Sequence, residues 1–456
     1  MKFMVRQVAS FAAVMAVILA GHSLATADPA PGIPATTDDP RRVPVPPRDH
    51  SDDPVLVLRG GTLILGTDSK PIEDAAVVIR GDRIVAAGEA EAITIPTSAD
   101  REIDTTGLYI VPGLIDSHVH FTQHRGDDFT RYSDSEAAAA IRGTLLLEQL
   151  IGAGITAVRD MGTTGDVALR VKEAVERGML VGPRVFWSGQ MIASRGGHGD
   201  EITAVGSGKR EERSDLRVAN GPWDWRLAVR EQIRQHADWI KLTAPYTKEE
   251  IAAAIDEAHL HGIPVAVDSF GQYTEWAAQA RADSIEHPLD LSQETIDAMA
   301  TSGTNFVPTL TAFYNLLAYG YPPAGIPRGG FYFTMSRRFT LDHEHHLAMV
   351  KAAHDAGVTV GVGTDIPFEN ERRYPDDYYV ELGFLKDAGL SNLEVLIAAT
   401  SGNAEILQMG DRLGTVAAGM LADILVIGAD PLSDIANVRD VRYVVADGRV
   451  VREPGD

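Results

Sequence analysis

The chain has 456 residues, 45% of them hydrophobic, a length that suggests roughly two or three ordinary domains or one barrel with an attachment. Its formal net charge of −23 disfavours nucleic acid and anionic membrane surfaces as partners. The lack of cysteine excludes disulfides, thiolate metal sites and cysteine nucleophiles, and no G-x-S-x-G motif indicates a serine hydrolase.

Two segments are predicted to precede the folded part. Lys2 and Arg6 come before an apolar run at 11–20 and a small-residue cleavage site, so residues 1–27 are predicted to be a secretory signal peptide. An uncleaved membrane anchor is the alternative. Residues 28–53, rich in proline and charge, predict an extended linker. The predicted location is therefore periplasmic or extracellular, with no stable membrane anchor after cleavage.

Short β-rich runs broken by turns occur at both ends of the chain. Residues 54–112 contain VLVLRGGTLI and AAVVIRGDRIVAAG, and residues 411–456 contain GTVAAGMLADILVIG and YVVADG. Neither set has enough strands to close a core of its own. We therefore predict that the two chain ends pack together as one small β-sandwich domain.

Residues 113–410 alternate strand-like runs with Ala-rich amphipathic stretches such as TKEEIAAAIDEAHLHG. The eight strand candidates are GLIDSHVHF, ITAVRD, RVFWSG, WIKLT, PVAVD, DSIEH, NFVPTL and VTVGVGTD. Parallel strands alternating with helices predict an α/β fold of the (β/α)8 TIM-barrel class. An open doubly wound sheet is the alternative, but its glycine-rich phosphate turn is missing.

Residues with metal-binding or catalytic chemistry fall repeatedly at strand ends, where such barrels place their active sites. His118 and His120 are two apart in one strand, so their imidazoles point to the same side as a candidate ligand pair. Lys241 lies in the apolar run WIKL, where burial would lower the pKa of its amine; an ion-paired lysine is the alternative. His287 and Asp365 close two further strands, either as ligands or as structural hydrogen-bonding residues.

Several of these runs together resemble one known family. GLIDSHVHF, GITAVRDMG, ADWIKL, ADSIEHP, VPTL, GVGTD and the terminal LGTVAAGMLADILVIGADPL are similar to the imidazolonepropionase-like branch of the amidohydrolase superfamily, which includes metal-dependent prolidases and carboxypeptidases. The resemblance extends from about Val55 to the end of the chain.

The resemblance also implies a role for each residue. His118 and His120 would bind a first divalent metal, zinc in the first instance, and His287 would bind a second. Lys241, carbamylated by CO2, would bridge the two metals. Asp365 would ligate the first metal and handle the proton of the attacking water, whose pKa the metals lower.

One position departs from the family pattern. The family has a histidine at the end of the fifth strand, where this chain has Asp268 in IPVAVDSFG. Asp268 is a candidate oxygen ligand of the second metal, since zinc and manganese accept carboxylate. Alternatively the second site is weakened and the enzyme holds one metal, or Asp268 caps the following helix.

Other candidates have weaker support. His198 lies in a loop that matches the family's GGHGD run and is predicted to touch the substrate, with a solvated turn as the alternative. The Tyr246 hydroxyl is a candidate stabiliser of the tetrahedral intermediate, with plain packing as the alternative. The histidines at 343, 345 and 346 are predicted to be mostly solvated on an outer helix. The aromatics at 331–333 are predicted to form part of a lid or to pack on the barrel.

These observations predict a metal-dependent hydrolase that cleaves an amide or peptide-type C–N bond in a small molecule, such as an N-acyl amino acid or a dipeptide. Lactone or phosphoester hydrolysis on the same metal site is the enzymatic alternative. Deamination of a cyclic base is disfavoured because the fifth strand carries no H-x-x-E run. A binding protein impaired by Asp268 is the alternative of a different class, and a homo-oligomer is possible in either case.

Overall fold

The computed structural model describes residues 52–123, 135–200, 215–318, 331–332, 338–339, 342–366 and 374–455. Side chains are described for these residues except 315–318, 331–332 and 338–339. The predicted signal peptide and nearly all of the predicted linker lie outside the described residues, as do the aromatic side chains at 331–333. Within the described ranges, no helix is long and apolar enough to span a membrane.

The strands, in chain order, are β1 Val55–Leu63, β2 Ile72–Arg80, β3 Arg83–Glu89, β4 Arg101–Asp104, β5 Tyr109–Pro112, β6 Leu114–Val119, β7 Ile155–Asp160, β8 Arg184–Trp187, β9 Met191–Ala193, β10 Leu216–Val218, β11 Ile240–Thr243, β12 Val265–Asp268, β13 Ser284–Glu286, β14 Asn305–Val307, β15 Phe331–Tyr332, β16 Arg338–Phe339, β17 Ile424–Ile427, β18 Val441–Ala446 and β19 Arg449–Arg452.

The helices are α1 Glu136–Gly152, α2 Val167–Glu176, α3 Gly221–Arg234, α4 Lys248–Leu260, α5 Gln272–Gln279, α6 Gln293–Ser302, α7 Leu310–Ala318, α8 His343–Asp355, α9 Asp376–Asp387, α10 Asn392–Ile397 and α11 Asn403–Ile406. A π-helical turn, Ala398–Gly402, joins the last two, and a 3-10 helix, Ile435–Arg439, precedes β18.

Strands from both ends of the chain form one eight-stranded sheet. β5 and β17 are antiparallel neighbours, with Ile110 opposite Val426, so the two ends meet inside the sheet. β18 and β19 extend it on one side and β1 to β3 on the other, while β4 pairs with β1. Leu58, Val77 and Ile424 belong to a core cluster formed by these strands and the segment before β17. A second layer, as in a sandwich, stays a prediction.

Between the two ends, parallel strands alternate with helices. β6, β7 and β8 form a three-stranded parallel sheet, and β9 to β14 form a six-stranded one in the order β10-β9-β11-β12-β13-β14. Seven of the eight predicted runs contain one of these strands. The three-residue strands β9 and β10 were not predicted, because so short a run displays no period of two. The equally short β13 and β14 were predicted because they lie inside the longer runs DSIEH and NFVPTL.

The eighth predicted run, VTVGVGTD, forms isolated bridges in place of a regular strand. Val360 bridges Phe306 on β14, and Ile366, directly after the run, bridges Val119 on β6, both in the parallel sense. The segment therefore lies between the last and the first of the parallel strands.

Local sequence explains how the helices between strands begin and which face they bury. At α4 the Thr247 side chain accepts from the Glu250 backbone, and the Glu250 side chain accepts from the Thr247 backbone, which is a capping box. Ile251, Ile255 and Ala258 are then buried at spacings of four and three residues. The apolar face of the helix consequently packs on the strands.

Candidate metal centre

Three predicted ligands converge at one end of the parallel strands. His118 Nε2 lies 3.4 Å and His120 Nε2 lies 3.2 Å from the same oxygen, Oδ1 of Asp365. One ligand atom from each residue lies within 4.8 Å of the other two. Two imidazoles and a carboxylate are a donor set that suits zinc or manganese, so these residues fit a divalent cation.

A second group lies next to the first. His287 Nε2 is 3.4 Å and His198 Nε2 is 3.6 Å from Oδ2 of Asp268, whose residue is only 2% exposed. His287 Nδ1 lies 3.9 Å from Oδ2 of Asp365. The two carboxylate oxygens of Asp365 therefore face different groups, Oδ1 toward the first pair of histidines and Oδ2 toward His287.

The backbone at these strand ends is held in an unfavourable conformation. His287 has a φ of 37° and Asp365 a φ of 55°, a region that non-glycine residues rarely occupy. Backbone strain of this kind is typical of functional sites, where the surrounding structure enforces it.

Lys241 lies beside the first group. Its Nζ is 3.4 Å from His118 Nε2, and the residue is 1% exposed. Burial lowers the pKa of the Lys241 amine below its ordinary value, although the carboxylates of Glu286, Asp268 and Asp365 oppose the shift. The buried amine is thus more readily neutral than a surface lysine.

Asp365 and His118 respond to burial differently. Burial raises the pKa of Asp365, but the His120 hydrogen bond and the neighbouring imidazoles outweigh it and leave the pKa below its ordinary value. Burial, followed by the positive charge of Lys241, holds the pKa of His118 well below its ordinary value. The site accordingly contains an ionised carboxylate and a neutral imidazole at pH 7, as metal ligation requires.

A glycine allows the eighth segment to approach the first ligand. A Cβ on Gly363 would lie 2.5 Å from Val307 Cγ1 and 2.8 Å from His118 Cβ. Only glycine therefore fits here, which explains one of the glycines of the GVGTD run.

The two softer candidates differ in their surroundings. His198 lies at the second group, as given above, and its backbone N–H donates to the Ala244 carbonyl at 3.3 Å. The Tyr246 hydroxyl donates to the Tyr273 carbonyl at 2.9 Å, and its ring packs edge-on against Trp225 and Tyr273. The substrate contact of His198 and the catalytic role of Tyr246 stay predictions.

The prediction of mostly solvated histidines at 343–346 is wrong for His346. This residue is 3% exposed, and burial lowers the pKa of its imidazole to about 4. Its ring lies 5.4 Å from that of Phe313, which in turn lies 6.2 Å from that of His287. The helical pattern did not reveal this contact, because it depends on where α7 places Phe313.

Two fully buried charged residues next to the first group were not predicted. Glu286 and Arg159 form an ion pair of 2.8 Å in which both side chains are 0% exposed. The sequence did contain an indication, because Glu286 and Arg159 are charged residues inside the apolar strand runs SIEH and ITAVRD.

Comparisons with known proteins show the family to which the chain belongs. The profile of the amidohydrolase family matches residues 109–451. The chain is 28% identical over 446 residues to ochratoxinase from Aspergillus niger, covering 88% of this chain and 87% of that protein. It is 25% identical over 398 residues to imidazolonepropionase from Streptomyces griseus, covering 82% and 90%. The crystal structure of a Xaa-Pro dipeptidase with methionine bound in its active site has a TM-score of 0.76 at 26% identity, covering 87% of this chain and all of that one.

The family match spans most of the chain, and the solved dipeptidase matches 87% of this chain. The fold is accordingly of the TIM-barrel type, and His118, His120 and Asp365 form the candidate site for the divalent metal on which this family generally depends. The chain belongs to the amidohydrolase family and is a metal-dependent hydrolase of C–N bonds that acts on a small molecule.

Proposed function

We propose that this chain hydrolyses an amide or peptide-type C–N bond in an N-acyl amino acid or a dipeptide, outside the cytoplasm. The observation that carries the proposal is the convergence of His118, His120 and Asp365 on one point, with a second carboxylate–histidine pair beside it. The ochratoxinase and Xaa-Pro dipeptidase relatives support the substrate class by their names.

Zinc at this site would polarise the scissile carbonyl and make a water molecule acidic enough to attack it. The protein's own contribution is to position a base next to that water. Asp365 is 12% exposed in its side chain and ionised at neutral pH, so it can accept the proton of the water and deliver it to the leaving nitrogen.

Lys241 is proposed to be carbamylated. Its neutral amine would form an N–C bond with CO2 and release one proton, so that a buried neutral amine becomes an anionic carbamate. Burial favours the neutral, reactive amine. Lys241 Nζ lies 3.4 Å from His118 Nε2, and an anion is a better neighbour than a cation for a metal held by His118.

Asp268 is proposed to take the place of the family's histidine as a ligand of a second metal, together with His287. The 3.4 Å between the two ligand atoms is compatible with a shared ion. An anionic ligand would lower the net positive charge of the occupied site and make a water there less acidic, which is expected to influence turnover.

The remaining proposals concern the molecule as a whole. The hydrogen-bonded position of Val360 and Ile366 between β14 and β6 supports a closed eight-stranded barrel. The eight-stranded sheet formed by both chain ends supports a composite β domain. The basic residues followed by an apolar run within residues 1–27 support export with cleavage before Asp28.

The proposed function is tested on protein purified from an expressing host. The exported form is expected to begin at Asp28 by N-terminal sequencing, and to contain zinc by elemental analysis. It is expected to hydrolyse members of a panel of N-acyl amino acids and dipeptides. D365N should lower kcat by ~100- to 10,000-fold, whereas D355N, at an exposed ion pair on α8, should leave it unchanged.

Other outcomes would contradict the proposal in distinct ways. Activity confined to lactones or phosphotriesters would replace the C–N substrate. A zinc-loaded protein that is inactive on every compound would favour a binding protein. Full activity of D365N would remove Asp365 from the chemistry.

A further inference from the structure

Behind His118, on the side away from Asp365, lies a buried polar network that the proposed mechanism does not use. Glu286 ends β13 and is 0% exposed. Its Oε2 lies 2.6 Å from His118 Nδ1. Its Oε1 accepts from Arg159 Nη2 at 2.8 Å and from Ser284 Oγ at 2.5 Å.

Arg159 holds this carboxylate in a fixed position. Besides Glu286, the guanidinium donates to the Ser117 carbonyl through Nε at 2.6 Å and to Ser284 Oγ through Nη1 at 3.1 Å. Its carbon Cζ also lies 4.4 Å from the centre of the Trp239 ring. A guanidinium with so many partners has little freedom to rotate, and the carboxylate bonded to it is equally constrained.

We propose that Glu286 is a positioning residue of the metal centre, which fixes the tautomer and the ring orientation of His118. The inference rests on the proposed function, since it assigns His118 as a metal ligand. A neutral imidazole has one N–H and one lone pair. Because Oε2 accepts at Nδ1, the N–H is placed there, and the lone pair is left on Nε2.

The Nε2 atom is the one that faces the site. It lies 3.4 Å from Asp365 Oδ1 and 3.4 Å from Lys241 Nζ. The other tautomer would direct an N–H into the centre and could not bind a cation. A carboxylate behind a ligating histidine also makes the imidazole a stronger donor, and loss of such a partner typically weakens metal binding.

The contacts of His120 show why this role is specific to Glu286. His120 Nδ1 is 3.2 Å from the backbone carbonyl of Gly162, so its ring is oriented by the main chain and no side chain is required. His118 depends on a side chain, and a substitution can therefore remove its partner.

The test is zinc affinity of the metal-free protein, measured by competition with a chromophoric chelator. The E286Q variant keeps the shape but has a single acceptor oxygen, which cannot serve both His118 and Arg159. We expect ~10- to 100-fold weaker zinc binding. The visible spectrum of Co2+ added in place of zinc should also change, because the spectrum reports the ligand geometry and a merely structural role would leave it unaltered.

E257Q is the matched control. Glu257 is 2% exposed and also pairs with arginines, through Arg226 at 3.1 Å and Arg230 at 2.6 Å, but it lies on α4 among outer helices. Its substitution is expected to lower the melting temperature and to leave both the zinc affinity and the Co2+ spectrum as in the wild type.

The outcomes distinguish failure of the proposed function from failure of the positioning role of Glu286. A wild-type chain that binds no zinc overturns the proposed function and this inference with it. Tight zinc binding by the wild type and by a folded E286Q alike overturns the inference alone. If E286Q does not fold, S284A decides, because it removes one hydrogen bond to Oε1: about 2- to 10-fold weaker binding supports the role, and unchanged binding overturns it.

Discussion

Asp268 is the residue on which the number of metals per chain depends. Its Oδ2 lies within 3.6 Å of two imidazole nitrogens, on His287 and His198, and no other carboxylate of the described residues has that pair of neighbours. D268N removes the charge and keeps the volume. We predict that wild-type chains hold two zinc ions and D268N one, because His118, His120 and Asp365 are left intact.

The measurement is zinc per chain after reloading and gel filtration. D283N is the matched control, since Asp283 Oδ2 accepts from His259 at 2.8 Å but bonds the Val265 N–H at the opposite end of β12. It should keep the wild-type zinc content. A D268N chain with two ions would exclude Asp268 as a required ligand.

The same scale shows how much of the site can be predicted from sequence. His118, His120 and Asp365 were identified because each falls at the end of an apolar run in a family-like motif, and the structure brings them together. Glu286 and Arg159 were not, because the direction in which a strand residue points depends on register with its neighbours. His346 was misplaced for a similar reason, since a helical pattern gives a buried face without naming what covers it.

At the scale of single elements, α7 is held in place by one buried acid. Glu381, on α9, accepts from the backbone N–H of Leu310 at 2.9 Å and of Thr311 at 2.6 Å, and from the Thr311 hydroxyl at 2.7 Å. These are the first residues of the helix. Thr309, directly before it, places its hydroxyl 3.3 Å from His287 Nδ1. Glu381 therefore fixes the start of α7, and Thr309 at that start contacts His287 of the second group.

We predict that E381Q lowers the free energy of unfolding by ~1–3 kcal/mol, because an amide offers one acceptor where three donors now meet a carboxylate. Urea unfolding of the zinc-free chain measures this. E394Q is the control, since Glu394 likewise accepts from a helix start, at Ser391, but its side chain is 45% exposed. Equal losses in the two variants would refute the role of Glu381.

Elements differ in how far sequence predicts them. The long capped helices and seven of the nine parallel strands β6 to β14 follow from period and turn residues. The pattern of VTVGVGTD predicts a strand, yet the segment forms only isolated bridges. Gly363 in this segment lies too close to His118 and Val307 for a larger residue. Such an irregularity is set by tertiary contacts, which no local pattern contains.

At the scale of the whole molecule, the sheet from the two ends and the parallel strands share a core. Leu425 and Val444 of the sheet belong to the same buried cluster as Leu150, Ile240 and other residues of the middle segment. Ile424, the neighbour of Leu425 on β17, belongs instead to the cluster made by the two ends of the chain. The two side chains thus report on opposite faces of one sheet.

We predict a single unfolding transition for both parts. All five tryptophans lie between residues 187 and 276, so their fluorescence follows the middle segment alone. L425A and I424A should each lower the midpoint of that transition, because each is expected to lower the free energy of unfolding by ~2–5 kcal/mol. An I424A chain whose tryptophan transition stays at the wild-type midpoint, while circular dichroism detects an earlier one, would mean that the sheet unfolds separately.

The pairing of β5 with β17 also has a consequence for synthesis. β5 ends at Pro112 and β17 begins at Ile424, so the ribosome delivers the first strands long before their partner exists. Until then β5 presents an open row of backbone donors and acceptors, the kind of edge at which nascent chains associate wrongly. We expect that edge to remain open to wrong association for as long as β17 has not been made.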